Sequence, residues 1–144
     1  MLGFSAGGQA AAILHTANGK AVYEAIDDVD EQNCGADFSL LVYPWKIQNV
    51  DGSLLEAIKP SEKMPPAFIV HTHDDRSSSV GSVLLYAEHR KRSIPAELHV
   101  YANGGHGYGM RPVAGSEIGT WPRRATAWLQ LLGVASKPNT SGEE

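Results

Sequence analysis

A single cysteine, Cys34, cannot pair within the chain, so no internal disulfide framework holds this protein together. Long apolar runs are also missing: none approaches the roughly 20 residues a helix needs to cross a bilayer. Charge of one sign is scarce as well. Twelve Lys and Arg against sixteen Asp and Glu leave a formal net charge of −4, which excludes a dominant electrostatic attraction to nucleic acid. The one basic run, His89-Arg90-Lys91-Arg92, falls where a helix is expected to end, and there it complements the helix dipole. There is no internal repeat at solenoid spacing and no long low-complexity tract. Location in the cell is left open.

What is present organises itself around Gly3-Phe4-Ser5-Ala6-Gly7-Gly8. This reads G-x-S-x-G, a sharp strand-to-helix turn that lifts a serine hydroxyl clear of the backbone. Gly3 and Gly7 are expected where side chains would collide with the flanking strand and helix. Alone, the pattern is shared with many small-residue turns.

Along the chain, a helix is expected from near Ala6 through Gln9–His15, then a turn at Asn18-Gly19. Residues 20–35 are acidic, with a candidate short helix at Ala21–Ile26 and a loop at Asp27–Gly35. The run Phe38–Tyr43, halted by Pro44, suits a strand buried on both faces, as in a parallel sheet. Residues 45–66 form a long connection with Asp51-Gly52, three prolines and a helical turn or two over Ser53–Ile58. A second strand is expected over Ala67–His71. A helix capped by Ser79 should run to about Ser93 with Val80, Val83, Leu84 and Ala87 inward, and Pro95 stops it. Glu97–Tyr101 alternates as a strand. Thr120 opens a last helix, with Pro122 in its first turn and Ala125, Trp128, Leu129 and Leu132 as its buried stripe; Gly133 ends it. The alternation predicts an α/β architecture with a parallel sheet flanked by helices over residues 1–134, and residues 135–144 read as a frayed tail.

In such a sheet, chemistry gathers at the C-terminal ends of strands. Three ends carry reactive residues: Ser5, then His71-Thr72-His73-Asp74-Asp75, then Asn103-Gly104-Gly105-His106-Gly107-Tyr108-Gly109. A serine attacks only when a base takes its proton and a carboxylate fixes that base's tautomer. The chain supplies these groups in the order Ser, Asp, His, the order of the α/β-hydrolases.

The elbow, His73-Asp74-Asp75, and Glu97–Tyr101 leading into Gly104-Gly105-His106-Gly107-Tyr108-Gly109 together resemble the α/β-hydrolase family. The resemblance is to acetyl-esterase, acetyl-xylan/feruloyl-esterase and dienelactone-hydrolase-like members, and to the C-terminal half of their domain. It implies a carboxylic-ester hydrolase without a cofactor, acting on a small-molecule or carbohydrate ester, with an acetyl or feruloyl ester of carbohydrate as the expected substrate. Ser5 would be the nucleophile, His106 the general base and then acid, and Ala6 N–H one oxyanion donor. For the orienting carboxylate, Asp74 is preferred to Asp75, because the family usually places its acid at the first of such a pair. Two departures stand out. Relatives commonly carry a Val-Pro-like pair where Arg76-Ser77-Ser78-Ser79 follows here. Only Met1 and Leu2 precede the elbow, where the family has a complete strand, further strands and a His-Gly-Gly-type loop giving the second oxyanion donor. The expectation is therefore a fragment with an exposed apolar sheet edge open to self-association.

Two other readings compete. The chain could be an inactive hydrolase remnant acting only by association. Alternatively, His71, His73 and Asp74, with Asp75 beside them, resemble a metal-ligand cluster, because an H-x-H pair on an extended segment puts both imidazoles on one face. That metallohydrolase reading would leave the elbow unexplained. Among the other candidates, His15 is expected at the surface or core edge and His99 is expected to be structural. Trp45 and Trp121 are aromatic packing or pocket walls, and Cys34 has no catalytic role.

Overall fold

The computed structural model describes residues 1–19 and 23–136. Four parallel strands form one sheet in the spatial order of the chain: β1 (Leu2–Phe4), β2 (Ser39–Val42), β3 (Ala67–Thr72) and β4 (Ala96–Tyr101). Every residue of β2 and β3 is buried, as near-continuous apolar runs in the middle of a parallel sheet require.

Because side chains alternate across a strand, the two central strands build two cores. Leu41, Ala67 and Ile69 face α1 (Ser5–Ala17) and α2 (Val80–Lys91), meeting Ala11, Ala12 and Leu85. Leu40, Val42, Phe68 and Val70 face the opposite side, meeting Ala125 and Trp128 of α3 (Trp121–Leu131) and Ile118 of the one-turn 3-10 helix Glu117–Thr120. Each fully buried Leu, Ile or Phe contributes roughly 1.5–3 kcal/mol by leaving water. The parallel sheet flanked by helices is thus as expected.

Three details differ from the expectation. In α2 the inward residues are Gly81, Ser82, Leu85 and His89, whereas Val80 and Val83 are 48% and 45% exposed. Two histidine-centred hydrogen-bond systems occupy that interface, so polar side chains took the face that hydropathy assigned to valine. The Ser79 side chain makes no cap; Ser78 Oγ accepts the Val80 N–H instead, at 3.2 Å. Ser53–Ile58 forms turns and an isolated bridge, Gln48 with Leu54, rather than a helix. Of the candidate helix at Ala21–Ile26, only Tyr23–Ile26 lies among the described residues, and that stretch is irregular. Most of the expected tail falls outside the described residues.

Candidate active site

The elbow is built from β1 running straight into α1. Ser5 is the first residue of α1 and has φ +53°, a left-handed conformation for a non-glycine residue. Such a conformation costs on the order of 1–3 kcal/mol and persists only when neighbours hold it. Those neighbours are specific. A Cβ on Gly3 would lie 2.4 Å from Gly7 O and 2.6 Å from Ala11 Cβ, and one on Gly8 would lie 2.9 Å from Pro44 Cα. Gly7, expected to be sterically required, has nothing within 4 Å of that position. The tight pair is therefore Gly3 and Gly8, and Gly8 is the contact that brings the loop after β2 against the serine. There the Trp45 N–H donates to Ser5 O at 2.9 Å.

His106 arrives on the glycine-rich loop after β4. Its Nε2 lies 2.7 Å from Ser5 Oγ, and its Nδ1 lies 2.7 Å from Asp75 Oδ2. A carboxylate only accepts, so Nδ1 carries the proton and Nε2 offers its lone pair to the serine hydroxyl. The imidazole sits between the edges of Tyr43 and Trp45, each ring centroid 4.9 Å away. Asp75 has no exposed side-chain surface, and Ser77 N–H fixes its other oxygen at 2.7 Å. The three groups form one hydrogen-bonded line.

The carboxylate against His106 is therefore that of Asp75, and the preference for Asp74 is corrected. β3 ends at Thr72, and the chain then turns so that His73 and Asp74 face solvent while Asp75 folds under the sheet edge. Asp74 does something else: its oxygens accept Gly105 N–H at 2.9 Å and Gly104 N–H at 3.2 Å. These bonds, that from Gly105 foremost, hold its carboxyl below the usual carboxylate range. Thr72 Oγ1 donates to Gly105 O at 2.8 Å. Asp74 and Thr72 thus grip the loop that carries the histidine. At its far end, Trp121 Nε1 donates to Gly109 O at 2.8 Å, and Gly109 N–H donates to Tyr43 Oη at 3.2 Å. The sequence signal for Asp75 was its spacing, four residues past the buried His71 and two before the serine whose amide it binds.

Of the remaining candidates, Ala6 lies in the first turn of α1, where amides have no intrahelical acceptor. It directly follows Ser5 in the chain. Trp45 is at the site, with Lys46 Nζ 5.4 Å and Arg76 Cζ 5.2 Å from its ring centroid. Trp121 is core. His71 and His73 do not share a face towards a common ligand: His71 is buried beneath Asp75 and His73 is exposed. Among the described residues no three His, Cys, Asp or Glu side chains converge as a metal site. His15, expected near the surface, is buried on the α1 side of the sheet and bonded to Ser39 and His89. His99 pairs with Glu97 at 2.6 Å, and Arg124 holds the same carboxylate at 2.7 Å. Cys34 is an exposed free thiol.

No protein-family model matches the sequence, and no curated protein matches it. Solved structures do. An acetyl ester-xyloside bifunctional hydrolase from Caldicellulosiruptor lactoaceticus superposes with TM-score 0.78 at 28% identity, over 94% of this chain and 57% of that one. A thermophilic esterase from Thermogutta terrifontis gives TM-score 0.70 at 19% identity, over 96% and 57%. A carboxylesterase from Lactobacillus plantarum gives 0.67 at 20% identity, over 94% and 59%. The chain thus spans a little over half the length of the structures it matches. This chain has the fold of the α/β-hydrolases, and its resemblance is to carboxylic-ester hydrolases of that fold.

Proposed function

We propose that the chain carries the nucleophile, base and acid of a serine esterase that cleaves carboxylic esters through an acyl-enzyme. The observation that carries this reading is the unbroken line Ser5 Oγ–His106 Nε2 and His106 Nδ1–Asp75 Oδ2, each 2.7 Å. Ser5 Oγ attacks the ester carbonyl as its proton passes to His106 Nε2, and Asp75 stabilises the imidazolium that results. Ala6 N–H donates to the developing oxyanion. The imidazolium then protonates the departing alcohol, and a water molecule, deprotonated by the same nitrogen, releases the acid and restores Ser5. No step needs a cofactor. The substrate class we favour is an acetyl ester of a carbohydrate. Its support is the 28% identical hydrolase, which is described as acting on acetyl esters and xylosides.

Fluorophosphonate labelling tests the reading. The folded chain is expected to take one label at Ser5, and Ser5→Ala to take none. A folded wild-type chain that remains unlabelled would remove the claim that this polypeptide holds a working nucleophile.

A further inference from the structure

The reaction scheme leaves His71 without a task. It lies near the end of β3, is completely buried, and uses both ring nitrogens. Nε2 lies 2.8 Å from Ser77 O and 3.2 Å from Asp75 Oδ2; Nδ1 lies 2.9 Å from Ser82 Oγ on α2. A backbone carbonyl only accepts, so Nε2 must carry the proton, and Nδ1 must then accept from the Ser82 hydroxyl. The Ser77 carbonyl thereby fixes the tautomer, and the Ser82 hydroxyl, able to donate or accept, completes the hydrogen bonding of the ring. The Nε2–H is shared between Ser77 O and Asp75 Oδ2, the same carboxylate oxygen that receives His106 Nδ1–H.

We propose that His71 is a positioning residue of the triad, donating a second imidazole N–H to Asp75 and so setting how strongly that carboxylate holds the His106 imidazolium. The inference rests on the triad reading. Two consequences follow from the geometry. Asp75 Oδ2 shares its negative charge between two donors, so its pull on the His106 proton is weaker than that of a carboxylate bonded to His106 alone. The turn after β3 is also locked, because Ser77, held by His71 through its carbonyl, accepts the Lys46 N–H on its Oγ at 2.8 Å and so ties this turn to the loop beside Ser5. The groups that face His71 are Asp75 and Ser77 from the turn, Ser82 from α2 and His106 from the loop after β4. Burial, outweighing the pull of Asp75, lowers the His71 pKa, which keeps the ring a neutral donor.

The test is an NMR titration of the His106 ring protons in the 144-residue chain carrying Ser5→Ala, which needs no turnover. His71→Leu removes the second donor and is expected to raise the His106 midpoint by about half a unit to one unit. His71→Gln, whose amide N–H reaches towards the Nε2 position, is expected to leave it within about 0.2 units. A folded His71→Leu variant with an unmoved or lowered midpoint overturns the proposal, as do equal shifts in the Leu and Gln variants. Should the Leu variant not fold, His71→Met, which likewise lacks an N–H donor, takes its place, and an unmoved midpoint there overturns the proposal. Asp75→Asn in the same background reports separately on the triad: it should lower the midpoint, and no change there would sink the triad reading itself.

Discussion

Two adjacent carboxylates at the end of β3 do different work. Asp75 is buried and bonded to His106, and Asp74 is exposed and bonded to the Gly104 and Gly105 amides. In the proposed mechanism Asp75→Asn removes the charge that orients and stabilises the imidazolium, and is expected to lower kcat by about 10⁴. Asp74→Asn keeps one acceptor oxygen for the loop amides and is expected to cost less than about tenfold. Steady-state kinetics on a chromogenic acetate ester would separate the two; equal losses would contradict the assignment. Sequence order told apart Ser5 and His106 but not the two aspartates. Their difference is the direction each side chain takes after the strand stops, and that is set by His71 and Ser77.

At the scale of elements, the packing of α1 against β1 and the β2 loop is what imposes the Ser5 conformation. Gly3→Ala drives a methyl group into Gly7 O and Ala11, and is expected to destabilise by about 1–3 kcal/mol. Gly7→Ala meets open space inside a helix and is expected to be neutral or stabilising by up to about 1 kcal/mol. Urea denaturation of both variants checks this pair, and a costly Gly7→Ala would mean the elbow is tighter than its geometry shows.

The interface of α1 with α2 carries a second marker, the buried pair His15–His89. His89 Nδ1–H donates to Leu85 O, so its Nε2 accepts from His15 Nε2–H at 2.9 Å, and His15 Nδ1 accepts from Ser39 Oγ–H at 2.9 Å. Both rings are neutral, and an added proton would place a charge in a buried site beside a second imidazole. Burial first, and then the charge of His89, lower the His15 pKa from 6.5 to about 3. The native pKa lies below the unfolded one, so the unfolded chain binds the extra proton. Stability is therefore complete above about pH 6.5 and falls as pH drops towards about 3, by up to about 1.4 kcal/mol per pH unit for this one group. Thermal melts from pH 7.5 to 4 should show the decline, and His15→Gln should make it shallower without abolishing it, because burial lowers His71 and His89 as well. A wild-type melting temperature independent of pH over that range would refute it.

On the scale of the whole molecule, the sheet of the described residues ends at β1, with Leu2 and Leu14 54% and 61% exposed beside it. An unpaired strand edge bordered by apolar side chains is a template for pairing with another strand. Concentration-dependent association of the isolated 144-residue chain is the expected outcome, with a second copy pairing along β1. Analytical ultracentrifugation reads it. Leu2→Lys with Leu14→Lys should weaken it, and a monomer at all concentrations would count against an active edge.

The sequence by itself determined the parallel α/β order, the positions of β2 and β3, the elbow and the histidine loop. Each rests on short-range chemistry: continuous apolar runs, a G-x-S-x-G turn, glycines around a histidine. Only tertiary structure decided that Gly8 rather than Gly7 is the close contact, that Asp75 rather than Asp74 faces His106, and that α2 turns Ser82 and His89 inward in place of Val80 and Val83. In each case the deciding partner comes from elsewhere in the chain: Pro44 against Gly8, His106 and His71 around Asp75, and His15 and His71 beneath α2. Hydropathy ranks a residue by its own side chain, whereas a buried polar group is placed by the partner that satisfies it.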